Sequence, residues 1–134
     1  MIPSGSTLLE NDFTIENQPT YTHMMNFDRG VITGYVDEQE AMKQAIFKIL
    51  STERYQYVMY SWDYGVELAD LYGEPISYVC PELERRITEA LTWDDRIESV
   101  DNFDFKVLKK GEISVEFTVH TIFGDMTVEK VVNF

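Results

Sequence analysis

Along this chain the spacing of apolar residues switches from a period of two to helical spacing and back again. From Thr20, the residues Tyr21, His23, Met25 and Phe27 fall on one side of an extended segment. Asp28-Arg29-Gly30 has turn chemistry, and Val31, Thr33 and Tyr35 continue in extended form, which predicts a β-hairpin. Asp37 then stands as a helix cap, with Glu40 as its capping-box partner three residues on. Ala41, Met42, Ala45, Ile46, Ile49 and Leu50 form one apolar stripe, predicting a helix over 37–51. A short helix is expected over 65–72, from Val66, Leu68, Ala69, Leu71 and Tyr72, ended by Gly73-Glu74-Pro75. A third is expected over 77–92, with Val79, Leu83, Ile87, Ala90 and Leu91 as its stripe and Pro81 tolerated in its first turn.

After Asp94-Asp95-Arg96 the period returns to two. Phe103, Phe105 and Val107 alternate with Asp104 and Lys106, then Ile113, Val115, Phe117 and Val119 with Ser114, Glu116, Thr118 and His120. Lys110-Gly111 and Gly124-Asp125 supply the turns, and Met126, Val128, Lys130 and Val132 complete a three-stranded antiparallel meander with one buried face. The expected class is α+β. One antiparallel sheet, made of the N-terminal hairpin plus the C-terminal three-stranded meander, carries three helices on one face. Residues 1–18 hold Pro3, Gly5 and no sustained period, and read as a flexible arm with two short apolar clusters. Residues 19–134 read as a single domain.

Composition narrows what such a domain does. The chain has 134 residues, a size served by one core, and is 44% hydrophobic and 13% aromatic, which excludes a disordered polar chain. Eleven basic against 24 acidic residues give a net charge of −13. Twelve acids and three bases lie between Trp62 and Asp104 alone. Nucleic-acid affinity depends on neutralising phosphates, and anionic membranes repel such a surface, so neither partner is expected. The acidic face reads as a solubilising surface or as a docking face for a basic partner. No apolar run approaches the length that spans a bilayer, and no signal-peptide layout opens the chain, so the expectation is a soluble protein made in a cytoplasm.

No constellation of catalytic residues stands out. The bases His23 and His120 sit on expected strands, and Cys80 is expected to pack as a small side chain near a helix start. Among 24 acids, carboxylate pairs at any spacing arise by chance. Asp94-Asp95 and Asp101 to Asp104 lack a calcium loop's alternating ligands and central glycine, and the glycines are scattered, with no phosphate loop. Catalytic, metal and cofactor sites are therefore all expected to be absent. The distinctive segment is Glu53 to Tyr64, with five aromatics. Arg54, Tyr57, Tyr60 and Trp62 have the composition of a protein interface, the alternative being that half of the aromatics fill the base of the core. A second candidate is Val131-Val132-Asn133-Phe134, a strand end with no charge or proline to blunt it.

Read together, several landmarks resemble a known family. They are Ser51-Thr52-Glu53-Arg54, Trp62-Asp63-Tyr64-Gly65, Leu68-x-x-Leu71, Arg86-Ile87-x-x-Ala90-Leu91 and Asp94-Asp95-Arg96-Ile97. In this order and spacing they resemble the small baseplate wedge protein of contractile phage tails, the sheath-initiator family. The nearest likeness is to its XkdS-like branch of PBSX-type defective prophages and tailocins. The likeness covers roughly Thr20 to Phe134. In the wider family the third helix is followed by Glu-Pro-Arg; here Asp94 and Arg96 match the acid and the arginine, and Asp95 replaces the proline.

The resemblance implies a structural subunit present in six copies per baseplate, located in the virion or tailocin and assembled in the host cytoplasm. It implies binding to baseplate wedge proteins around the tube, with tail tube or hub proteins as further contacts, and a template for strand exchange with the tail sheath protein. Arg96, supported by Asp94, would anchor the wedge contact through a planar fork of donors, the alternative being that it only ties down the helix-to-strand corner within its own chain. Val131 and Val132 would lie on the strand edge offered to the sheath, the alternative being that the last strand is central or is covered by the N-terminal arm. The alternatives are an anti-adaptor-like regulatory binding protein of similar fold and, further off, an acidic lysozyme-like hydrolase.

Overall fold

Strand β1 (Thr22–Asn26) and strand β2 (Val31–Val36) form the expected antiparallel hairpin, with Asn26 opposite Val31. Its alternation is interrupted. Between the pairs His23–Tyr35 and Met25–Ile32, Thr33 and Gly34 face Met24 alone, a bulge that Gly34 accommodates at φ +70°. Tyr21 and His23 then both pack on Tyr35, with ring centroids 5.0 and 4.8 Å away, while Phe27 turns to meet Phe47 at 4.3 Å. The computed structural model describes residues 19–134; the arm expected over residues 1–18 lies outside them.

Helix α1 (Glu38–Leu50) starts at Asp37, whose carboxylate accepts the Glu38 N–H at 2.8 Å. The cap is completed by the Thr20 hydroxyl, which bonds the same carboxylate and accepts the Glu38 N–H at 3.3 Å, rather than by Glu40. Helix α2 (Ile76–Thr92) begins one residue before expectation, behind Pro75. Pro81 therefore lies beyond the first turn, where it removes the N–H that would bond the Ser77 carbonyl.

Three strands follow: β3 (Ile97–Lys109), β4 (Glu112–Thr121) and β5 (Gly124–Asn133), in the spatial order β3-β4-β5. Ile113, Val115, Phe117 and Val119 of the central strand are fully buried. They share one core with Met42, Ile46 and Leu50 of α1 and Val79, Leu83, Ile87 and Leu91 of α2. Burying each such side chain contributes about 1.5–3 kcal/mol, which is what drives both helices onto one face of the meander.

Two expectations are corrected. The strands do not make one sheet: the hairpin is a separate two-stranded sheet and the meander a three-stranded one. The hairpin packs on α1 instead, through Gln44, whose amide donates to the His23 carbonyl at 2.8 Å and accepts the Met25 N–H at 2.9 Å. A side chain thus takes the place of a neighbouring strand. The helix expected over 65–72 is a single 3-10 turn at Ala69–Leu71, leaving two α-helices and not three. Val66 is drawn into a bridge with Glu53, so too few residues remain before Gly73 to build a helix.

Candidate assembly surfaces

The aromatic segment is a loop closed at its neck. Val66 N–H donates to the Thr52 carbonyl at 3.0 Å and Arg54 N–H to the Val66 carbonyl at 3.3 Å. At the neck Gly65 has φ +98°, and a Cβ there would stand 2.6 Å from the Thr52 carbonyl oxygen, so only glycine closes it. The Glu53 carboxylate accepts the N–H groups of Leu68 and Ala69, fixing the exit. Arg86, buried on α2, ties the same segment down by donating to the Glu67 carbonyl at 3.0 Å and to both Asp70 oxygens. Its guanidinium holds the Asp70 carboxyl below the usual carboxylate range.

Within the loop, Arg54 is an organiser. Its Nε donates to the Trp62 carbonyl at 2.8 Å, its other nitrogens meet Glu89 at 3.2 Å and Asp63 at 3.7 Å, and it stacks over Tyr55. Tyr60 stacks on Tyr64 at 4.5 Å, and of this aromatic group only Tyr64 packs against the core. Tyr57, Tyr60 and Trp62 stay exposed. So do Val58, at 104% of its full surface, and Met59, at 81%, which the sequence reading passed over. The signal was slight: Val58 and Met59 sit side by side in Tyr57-Val58-Met59-Tyr60, a run that follows neither a helical nor a strand period. Together they form an apolar tip held out from the body by charged groups at its base.

Asp94 and Arg96 lie beside this loop, at the corner between α2 and β3. The Arg96 fork is bidentate to Asp94 at 2.9 and 2.6 Å, and its third nitrogen donates to the Pro19 carbonyl at 3.2 Å. Arg96 is only 9% exposed. Burial pushes the Asp94 carboxyl up, and the Arg96 fork and backbone N–H more than offset it, leaving it below the usual range. Both groups line a groove of about 480 Å³ with Tyr21, Lys48, Tyr64 and Trp93, on one side of α1.

The other two candidates lie on the far side of α1. On β5, Val131 is 47% exposed and Val132 is 3% exposed, so only Val131 presents its side chain. The backbone decides what each offers. Phe134 N–H points at β4, where it meets the Gly111 carbonyl at 2.9 Å, and Ile122 N–H points the other way from β4, to Arg96 on the β3 side. Backbone groups alternate along a strand, so Met126, Val128, Lys130 and Val132 are bonded to β4, and Thr127, Glu129, Val131 and Asn133 direct theirs outward. Among the described residues no strand pairs with that edge. It borders a groove of about 580 Å³ walled by Met24, Phe27, Phe47 and Lys43.

Among the described residues no group of His, Cys, Asp and Glu is placed to hold a metal ion, and no helix is long and apolar enough to cross a membrane. Of the two histidines, His23 packs on Tyr35, and His120 lies between Asp125 at 2.7 Å and Asp101 at 2.9 Å.

A phage-like element PBSX protein, XkdS, from Bacillus subtilis (strain 168) is 35% identical over 129 residues, covering 90% of either chain. The family model for the contractile injection system sheath initiator matches residues 12–124. The chain therefore belongs to the contractile injection system sheath initiator family, a family of structural phage-tail components.

Proposed function

We propose that this subunit starts the tail sheath by lending the outer edge of β5 to a strand of the first sheath ring, while its aromatic loop docks on baseplate wedge proteins. The observation that carries this is the edge itself. Ten consecutive pairs join β5 to β4 without a register shift, and the outward N–H and C=O groups of Thr127, Glu129, Val131 and Asn133 form a regular row that no other strand pairs with among the described residues. The loop supports the second half: Tyr57, Val58, Met59, Tyr60 and Trp62 give a large rigid contact area at low entropic cost. Arg54 shapes that loop, and Arg96 with Asp94 fixes the corner beside it, so these charged groups serve the wedge contact by positioning it. In this reading the protein does no catalysis and needs no metal or cofactor. It sits in the baseplate in six copies around the tube, next to tube or hub proteins, after assembly in the host cytoplasm.

Amide exchange on baseplates before and after sheath addition tests the strand half. Sheath addition should slow exchange at the outward amides of Thr127, Glu129, Val131 and Asn133, while the β4-bonded amides of β5 are slow in both states. Unchanged outward amides would end the proposal.

A further inference from the structure

Lys130 shares its inward register with Met126, Val128 and Val132, and borders the groove walled by Met24, Phe27 and Phe47. It is half-buried, and among the described residues no carboxylate lies within ion-pair distance of it. Burial alone pulls its ammonium below the usual lysine range. The pattern of the strand calls for an apolar residue here; the chain places a cation.

A strand laid along the outer edge of β5 would cover this position. In an antiparallel addition the residue opposite Lys130 belongs to a pair without direct backbone bonds, because the Lys130 backbone is turned toward β4, and such pairs bring side chains closest. Covering an ammonium without a partner is costly, whereas covering it with a carboxylate gives a short charge-assisted bond in a dry site. We infer that the strand which seats on β5 carries an aspartate or glutamate directly opposite Lys130, flanked on its inward face by apolar residues that meet Phe47 and Met24. The inference rests on the strand-addition reading and adds to it the chemistry of the incoming strand. Lys130 would then fix the register of that strand, since a slip of one residue turns the carboxylate to the solvent side.

Replacing the ammonium by a methyl group separates the possibilities by sign. Lys130→Met keeps the stem and makes the groove more apolar, and the fold should tolerate it without a fall in melting temperature. With a carboxylate opposite, the substitution strands that charge, and sheath protein should bind baseplates carrying the variant roughly tenfold more weakly or worse. Lys130→Glu should bind more weakly still, and an acid-to-lysine change in one sheath strand should restore it. Lys130→Met binding equally well or more tightly would overturn the inference, because removing an unpaired cation from an apolar seam strengthens docking. Val131→Pro separates this from failure of the reading beneath it. That variant losing sheath while Lys130→Met keeps it would refute only the carboxylate; Val131→Pro keeping sheath would refute strand addition and the carboxylate with it.

Discussion

The two outer strands of the meander pair with the same central strand and have been finished in opposite ways. On β3 the register shifts three times, between Ile97 and Ser99, Asp101 and Asp104, and Val107 and Lys109, with Asn102 at φ +55°. Its exposed positions carry Glu98, Asp101, Asp104, Lys106 and Lys109. Bulges and charges of this kind are how soluble proteins keep an edge from pairing with a neighbour. By contrast β5 has no register shift over ten pairs and ends in an uncharged Val131-Val132-Asn133. Of the two edges, that of β3 is blunted, and that of β5 is left regular and, among the described residues, bare.

The largest effect should come from the wall both edges share. Phe117 is fully buried on β4 and stacks on Phe103 of β3 at 5.3 Å. Phe117→Ala should cost about 3–5 kcal/mol by denaturant unfolding and loosen both edges together. If only one edge gained exchange, the sheet would not be the single unit described.

Next is the hairpin, which limits access to the β5 groove from the other side. Gln44→Leu leaves the His23 carbonyl and Met25 N–H without their partner and should cost about 1–3 kcal/mol. Exchange should rise at Met25 and its neighbours while the meander keeps its protection. Equal loosening of both sheets would contradict their separation.

A smaller effect tests the corner beside the aromatic loop. Arg96→Lys cannot reproduce the bidentate bond to Asp94, so its melting temperature should fall while wedge binding weakens only as far as the corner loosens. Lost wedge binding with an unchanged melting temperature would make Arg96 a direct contact.

The smallest expected effect is a pH dependence at the end where β3, β4 and β5 meet. Asp125 and, next, Asp101 raise the His120 pKa above its ordinary value of 6.5. Because the folded value is the higher one, the stabilisation is complete below the unfolded value and is lost as pH rises through the folded one. The melting temperature should therefore drift down from about pH 6.5 upward, and His120→Gln should flatten that drift. A drift in the opposite direction would refute the clamp.

Much of this was legible in the sequence. The alternation of Ile113, Val115, Phe117 and Val119 marked the buried strand, and the stripes through Ile46 and Leu83 marked both helices, because burial imposes those periods directly. Two features were not legible, each set by a long-range partner. Gln44 looks like an ordinary polar helix residue, yet it detaches the hairpin from the meander by filling the place of a strand. The 3-10 turn at Ala69–Leu71 depends on the Glu53–Val66 bridge, which no local pattern announces. Of the candidate sites, the exposed Tyr57, Tyr60, Trp62 and Val131 could be picked by composition. The burial of Val132 follows the period of two through Met126 and Val128, and Arg96 is held inward by Asp94 two residues before it, a partner the chain already places beside it.

The direct test of the central claim is sheath length on baseplates carrying matched prolines, seen by electron microscopy. Val131→Pro removes an outward N–H from β5 without touching its bonds to β4. Val107→Pro does the same on β3, since Val107 lies between the Lys106–Ser114 pair and the next register shift with its backbone turned outward. Both variants should fold, with baseplates lacking sheath for Val131→Pro and sheaths of normal length for Val107→Pro. Normal sheaths on Val131→Pro baseplates, or their loss only with Val107→Pro, would contradict strand addition at β5.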